Sequence, residues 1–117
     1  MLSPNALSNY NNERRRNLEG LYYVEKICNS HNFAIHYQTK IVEKRGSIHS
    51  LINDMDSELF FRPHESFIVN AKYVSTVSRN SLILTNGAVI PISRSKQAEV
   101  REFLQKCSFI KSLNYNK

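Results

Sequence analysis

The fold is decided by the stretch from residue 60 to residue 94, which begins with FFRPHESFIVN at 60–70 and ends with IPISR at 90–94. Its apolar residues form short runs of the length typical of β-strands. Its polar residues are concentrated at two points, at 62–66 and at 93–96. The pattern predicts two polar loops on one β-framework. Such loops suit the recognition of another molecule's edge better than chemistry on a small substrate.

A β-hairpin is predicted between these loops, because the dipeptide Asn86-Gly87 separates two apolar runs. Asn-Gly supplies the positive φ angles of a two-residue type I′ turn. Such a turn would pair two sets of apolar residues, Leu84 with Val89 and Ile83 with Ile90. Both faces of the hairpin would then be apolar, and both would have to be covered by packed layers of sheet and helix.

Three further strands are predicted upstream. Residues 21–27 are aromatic and β-branched, residues 33–39 alternate between apolar and polar, and residues 41–44 form a third short run. A polar turn at 29–32 separates the first two strands. Pro91 cannot donate to a β-ladder, so the strand that contains it is predicted to lie at a sheet edge or to carry a bulge there.

Two short helices are predicted from apolar residues that repeat with the helical period. The first begins after Ser47 as its N-cap, and the second runs from about residue 96 to residue 106 after Ser95 as its cap. The buried stripe of the first helix is Ile48, Leu51, Ile52 and Met55, and that of the second is Val100, Phe103, Leu104 and Cys107.

Length and charge limit the organisation of the chain. Its 117 residues suit one domain, and its net charge of +6 favours an anionic partner. Residues 1–19 are predicted to be a flexible linker or tail, residues 20–107 the domain, and residues 108–117 a C-terminal tail. No apolar run approaches the roughly 20 residues of a membrane helix, so we expect a cytoplasmic protein that does not bind a membrane.

The sequence offers no recognisable catalytic or metal-binding constellation. Cys28 and Cys107 lie far apart and lack partners at the spacing of zinc ligands. The run His64-Glu65-Ser66 contains the letters of a catalytic triad, but consecutive residues do not point at one another. The three glycines form no phosphate loop. We therefore expect no enzyme activity, no catalytic residue, no metal, no cofactor and no small-molecule substrate.

The polar turns are better candidates for binding. His31 lies between two predicted strands, and Arg94 lies between the hairpin and the last helix, beside serine and lysine. Arginine can hold guanine O6 and N7 with two hydrogen bonds, and serine and lysine can hold phosphates. An exposed side chain without such a role is the alternative for each residue.

These residues give the chain a specific resemblance. The order and spacing of FFRPHESFIVN, the Asn-Gly hairpin and IPISR resemble the LytTR family of DNA-binding domains, whose signature is F-x-R-x-H-x-S followed by V-N and later by Ser-Arg or Val-Arg. The resemblance covers about residues 20–106. The turn at 29–32 and the opening at 60–62 are most similar to Gram-positive regulators of quorum sensing and virulence.

The resemblance implies a fold class and a mode of binding. The fold would be mainly β, an elongated stack of small antiparallel sheets with two short helices. Double-stranded DNA would be bound by loops inserted in successive major grooves, with His31 and Arg94 matching the family's groove-entering residues. Candidate contacts to the DNA backbone are Ser30, Asn32, Ser95, Lys96 and Gln97.

Glu65 matches a family position that also faces DNA, and it departs from the Asn, Arg or other polar residue usual there. A carboxylate is repelled by phosphates but can accept a hydrogen bond from cytosine N4. Glu65 would therefore either alter the base preference or point away from the DNA. His64 and Asn70 also belong to the signature, and we expect them to hold the shape of the loop, since buried polar groups need partners.

The resemblance also implies a biological context, regulation of transcription as the output domain of a two-component response regulator. Family members typically occupy promoter direct repeats, so a second copy on the same DNA is expected. The chain would be either the C-terminal part of such a regulator, with residues 1–19 as the interdomain linker, or a stand-alone member. The alternative from another functional class is a small β-sheet adaptor that binds an acidic protein partner or an anionic surface.

Overall fold

The computed structural model describes residues 20–107 and the backbone of Asn114–Tyr115. Two 3-10 helices, Ala71–Tyr73 and Arg94–Lys96, lie before the strand that begins at Val74 and before the helix that begins at Gln97. The predicted linker at 1–19, and the predicted tail apart from that dipeptide, lie outside the described residues. The elements follow in the order β1 Leu21–Lys26, β2 Asn32–Tyr37, β3 Ile41–Arg45, α1 Ile48–Ile52, β4 Phe60–His64, β5 Phe67–Asn70, β6 Val74–Val77, β7 Ser81–Leu84, β8 Val89–Pro91, α2 Gln97–Gln105 and β9 Asn114–Tyr115.

The strands form two sheets. The first has five antiparallel strands in the order β3-β2-β1-β5-β4, and the second has the order β8-β7-β6-β9. In the second sheet only the β6–β9 pair is parallel among the described residues. The position of β8 at the edge confirms the prediction made from Pro91. A mainly β fold with small antiparallel sheets and two short helices is likewise confirmed.

Both faces of the five-stranded sheet are buried. On one face α1 packs over the sheet, so that Ile48 lies in a cluster with Val24 and Ile68. On the other face the second sheet and α2 form a larger cluster, in which the ring of Phe61 stacks on that of Phe103. The sheet is therefore the central layer of the described chain, and its strand ends are held by packing on both sides.

The first helix is shorter than predicted. Ser47 is its N-cap as expected, and its side chain accepts a hydrogen bond from the Ser50 N–H at 3.0 Å. The helix ends at Ile52, and the Met55 N–H then donates to the Ile52 carbonyl across only three residues. This tight turn still leaves Met55 buried, so the apolar stripe is kept without a continuous helix.

The start of the second helix also differs from the prediction. The chain enters α2 through the 3-10 helix Arg94–Lys96, so Ser95 lies within that turn and is not the cap. Lys96 occupies the N-cap position without a side-chain hydrogen bond. The predicted stripe is confirmed, because Val100, Leu104 and Cys107 are buried.

The loop of the β7–β8 hairpin is one residue longer than the Asn86-Gly87 dipeptide predicts. The Leu84 N–H donates to the Ala88 carbonyl at 2.9 Å, which leaves residues 85–87 in the loop. Gly87 adopts a positive φ of 88°, the usual conformation at the end of a three-residue loop. The predicted pairs are therefore wrong, and the strands pair Ile83 with Val89, Leu82 with Ile90 and Ser81 with Pro91.

This shift of one residue turns the side chains of β8 to the opposite faces relative to those of β7. Leu82, Leu84 and Ile90 now share the buried face and are at most 1% exposed, whereas Ile83 is 39% and Val89 64% exposed. The prediction that both faces are covered is wrong for the described residues. One face of the hairpin supplies the core, and the other carries exposed apolar side chains.

The observed register can be tested with a pair of neighbouring substitutions. Leu82→Ala is expected to lower the free energy of unfolding by about 2–5 kcal/mol, because it leaves a cavity at a fully buried site. Ile83→Ala, one residue along on the open face, is expected to cost about 1 kcal/mol or less. Urea unfolding followed by circular dichroism measures both. Equal losses would contradict the observed register.

Candidate nucleic-acid interface

The first polar turn, residues 29–32, is built by local hydrogen bonds and is called the His31 turn below. The Ser30 hydroxyl accepts from the Asn32 N–H at 3.1 Å and donates to a carbonyl three residues earlier. The His31 carbonyl accepts from the Gly46 N–H at 2.7 Å, which fixes the turn against the end of β3. The His31 side chain remains exposed.

The second polar turn, residues 62–66, joins β4 to β5 and is called the Glu65 turn. Arg62 Nη2 donates to the Glu65 carbonyl at 2.6 Å, and His64 Nδ1 accepts from the Ser66 N–H at 3.1 Å. The prediction that His64 holds the shape of the turn is confirmed by this bond. The Glu65 side chain is exposed at the tip.

The third polar segment, residues 93–96, is called the Arg94 segment. The Ser93 N–H donates to the Pro63 carbonyl at 2.9 Å, which places this segment beside the end of β4. The side chain of Arg94 is exposed, as is that of Ser95. Arg94 is therefore accessible to a partner and is not enclosed in the core.

Backbone hydrogen bonds gather these three segments at one end of the five-stranded sheet. The Lys26 N–H donates to the Ser66 carbonyl at 2.8 Å, so the end of β1 lies against the Glu65 turn. The Ser93–Pro63 bond then joins the Arg94 segment to the other side of that turn. In antiparallel neighbours the end of one strand meets the start of the next, so the sheet itself sets this arrangement.

The structure brings the predicted site residues together only in part. His31 and Glu65 line one open depression of about 730 Å³, and Ser30 and Asn32 lie on the same rim. The other four predicted site residues do not line the depression. They lie in the 3-10 helix before α2 and at the first residue of α2, and they are Arg94, Ser95, Lys96 and Gln97.

Several candidate backbone contacts already have a partner within the protein. The Asn32 side chain donates to Glu43 at 3.4 Å. The Lys96 ammonium lies 3.6 Å from the Glu99 carboxylate, and the Gln97 side chain donates to the Asn80 side chain at 3.2 Å. Exposed pairs of this kind are worth about 0–1 kcal/mol, so they can yield to a phosphate.

Sequence reasoning missed three basic or titratable residues that line the depression, and gave Arg62 no specific role. The missed residues are Lys26, Arg45 and His49. Lys26 ends β1, and Arg45 ends β3 opposite Asn32. The sequence held a signal for two of them. Strands that pair antiparallel with β2 must end beside the β1–β2 turn, so the basic residues at the ends of β1 and β3 could have been placed there.

Neither cysteine belongs to a metal-binding cluster among the described residues. The described part of the chain contains no group of three His, Cys, Asp or Glu residues that could hold a metal ion. Cys28 is exposed, whereas Cys107 is buried and its burial raises the pKa of the thiol. Cys107 therefore packs as a small apolar group.

Among the described residues, none of the helices has the length and apolar character needed to span a membrane.

Comparison with known proteins identifies the family to which the chain belongs. The model of the LytTr DNA-binding domain matches residues 14–105. The chain belongs to the LytTR family. The resemblance inferred from the sequence is thus confirmed, and the LytTR family is one of DNA-binding domains rather than of enzymes.

A curated protein and a solved structure are similar to this LytTR domain. The sensory transduction protein LytT of Enterococcus faecalis is 30% identical over 91 residues, a match that covers 74% of this chain but only 37% of that relative. The solved LytTr DNA-binding domain of a response regulator from Bacillus cereus has a TM-score of 0.68 at 21% identity, covering 74% of this chain and 83% of that one. That likeness shows that the two chains share a fold.

Asn70, a signature residue of the LytTR domain, has a structural role. It is 2% exposed, and its amide donates to the Leu21 carbonyl at 2.8 Å while its side-chain oxygen accepts from the Lys72 N–H at 3.0 Å. It therefore joins β1 to the 3-10 helix after β5. The prediction that Asn70 holds the shape of the Glu65 turn is wrong, because Asn70 lies at the opposite end of β5 and bonds to β1 and the 3-10 helix instead.

Asn70→Ala is expected to lower the free energy of unfolding by about 1–3 kcal/mol, because it leaves buried polar groups without partners. Asn53→Ala, at an exposed position after α1, is the control and is expected to change stability by about 0.5 kcal/mol or less. Thermal unfolding measures both variants. A neutral Asn70→Ala substitution would contradict the structural role.

Proposed function

We propose that this LytTR domain binds double-stranded DNA sequence-specifically, with the His31 turn, the Glu65 turn and the Arg94 segment contacting successive major grooves, and thereby regulates transcription. One observation carries the proposal. Backbone hydrogen bonds hold the three segments at one end of the five-stranded sheet, and the side chains of His31, Glu65 and Arg94 stay exposed. The DNA-binding family and the net charge of +6 support the choice of partner.

Each of the three side chains is assigned a role by its chemistry. Arg94 donates to guanine O6 and N7, the commonest specific contact of arginine in the major groove. His31 offers one donor and one acceptor when neutral. Glu65 accepts from cytosine N4, and this role is supported by the tight turn below it, which Arg62 holds at the Glu65 carbonyl.

We further propose that the domain is the output part of a two-component response regulator. The name of the Enterococcus faecalis relative, a sensory transduction protein, supports this context, and the chain spans 37% of that protein's length. A role in quorum sensing and virulence, and occupancy of promoter direct repeats by two copies, are part of the same proposal. The role in quorum sensing and virulence rests on the resemblance of the turn at 29–32 and of the opening at 60–62, and the occupancy of direct repeats rests on what is typical of the family.

Arg94→Ala tests base reading directly, once selection from a random duplex pool has defined a preferred site. The substitution is expected to cost about 1–3 kcal/mol on that site and to flatten the preference at one base pair. Binding to a scrambled duplex is expected to change much less, because a base contact is lost and not a phosphate contact. Fluorescence anisotropy at a fixed salt concentration measures both affinities.

Arg101→Ala supplies the matched control, since it removes an exposed arginine from α2 outside the proposed interface. It is expected to leave the base preference unchanged. Equal losses on the preferred and scrambled duplexes for Arg94→Ala would remove the base-reading role. A wild-type protein that binds all duplexes equally, and is retained by an acidic protein, would favour the adaptor alternative.

A further inference from the structure

A basic depression lies between the His31 turn and the Glu65 turn, and base reading by His31 and Glu65 leaves most of its lining unused. Its volume is about 730 Å³. Three of its lining residues carry a full positive charge and one carries a negative charge. These charged residues are Lys26, Arg45, Arg62 and Glu65.

The fold brings the first two cations to this place from separate strands. Lys26 is the last residue of β1 and Arg45 the last of β3, and β2 begins between them. Neighbouring strands lie about 4.8 Å apart, so the two long side chains extend from backbones about 10 Å apart. Both residues are exposed, and no described acidic side chain forms an ion pair with either.

Arg62 differs from these two because it is fixed. Its Nη2 donates to the Glu65 carbonyl at 2.6 Å, and its Nη1 lies 3.4 Å from His49 Nδ1. Its Nε is buried and has no hydrogen-bond partner among the described residues. The guanidinium is otherwise half-buried, and a buried N–H without a partner is costly.

We propose that the depression holds one phosphodiester group of the DNA backbone, contacted by Lys26 and Arg45. Arg62 is a positioning residue here, because it supplies a fixed charge below the site and holds the turn that carries Glu65. This inference rests on the proposed function. Turns that enter a major groove bring the residues beside them to the backbone, where basic side chains set the register. The hydroxyl group of Ser66 on the same lining can donate to the phosphate.

Lys26→Gln and Arg45→Gln test the proposal through the salt dependence of DNA binding. The loss of one phosphate contact makes the negative slope of log K against log salt shallower by about 0.9, and each variant, which keeps the other cation, is expected to show up to that change. Over a fourfold rise in salt the wild type is then expected to lose up to about 3.5-fold more affinity than either variant. The loss is expected to be equal on preferred and scrambled duplexes, because phosphates carry no base identity.

Lys40→Gln is the matched control. It removes the same charge from the β2–β3 turn at the opposite end of the sheet, where Lys40 Nζ lies 5.4 Å from the centre of the Tyr37 ring. Its salt slope is expected to equal that of the wild type. Circular dichroism and thermal unfolding verify that all three variants, each at an exposed position, remain folded.

The outcomes separate this inference from the proposed function. If the wild type prefers one sequence but both variants keep its salt slope, the phosphate site is overturned and DNA recognition stands. If the variants lose affinity only on the preferred duplex, these residues read bases and the inference is again overturned. A wild type without any preference contradicts the proposed function instead. Saturable binding of inorganic phosphate without DNA would reassign the depression to a free anion.

Discussion

The hydrogen bond from the Ser93 N–H to the Pro63 carbonyl is the contact on which the site depends. Pro63 is fully buried in β4 and lacks an N–H, so its carbonyl is its only backbone hydrogen-bonding group. This bond joins the exit of the second sheet to the edge of the first. The Arg94 segment therefore has a fixed position relative to the Glu65 turn, even though 28 residues separate Glu65 from Arg94 along the chain.

The LytTR signature combines residues of two kinds that a sequence alone does not separate. His64 and Asn70 bond to the backbone and maintain the turn and the strand ends. Glu65, one position after His64, is exposed and free to differ from the residue usual in the family. Under the proposed function, a fixed framework with a variable tip would let one fold recognise different DNA sequences, because changing the tip leaves the framework's hydrogen bonds in place.

Local patterns predicted most strands and both helical stripes, because period and turn chemistry act over a few neighbouring residues. The β7–β8 register was wrong because Asn86-Gly87 fits a loop of either two or three residues, and one extra residue reverses the faces. The basic depression was missed for a different reason. Lys26 meets the Glu65 turn only because β5 lies beside β1, a strand order that no local pattern specifies.

In the proposed complex, one end of the five-stranded sheet contacts one duplex with three segments at once. This can be measured by following the amide chemical shifts of the labelled protein during titration with a selected duplex. Residues 29–32, 64–66 and 93–96 are expected to shift together with one apparent Kd, while Lys40 and Lys72 at the opposite end do not. Shifts confined to one segment, or centred on Lys40 and Lys72, would contradict it.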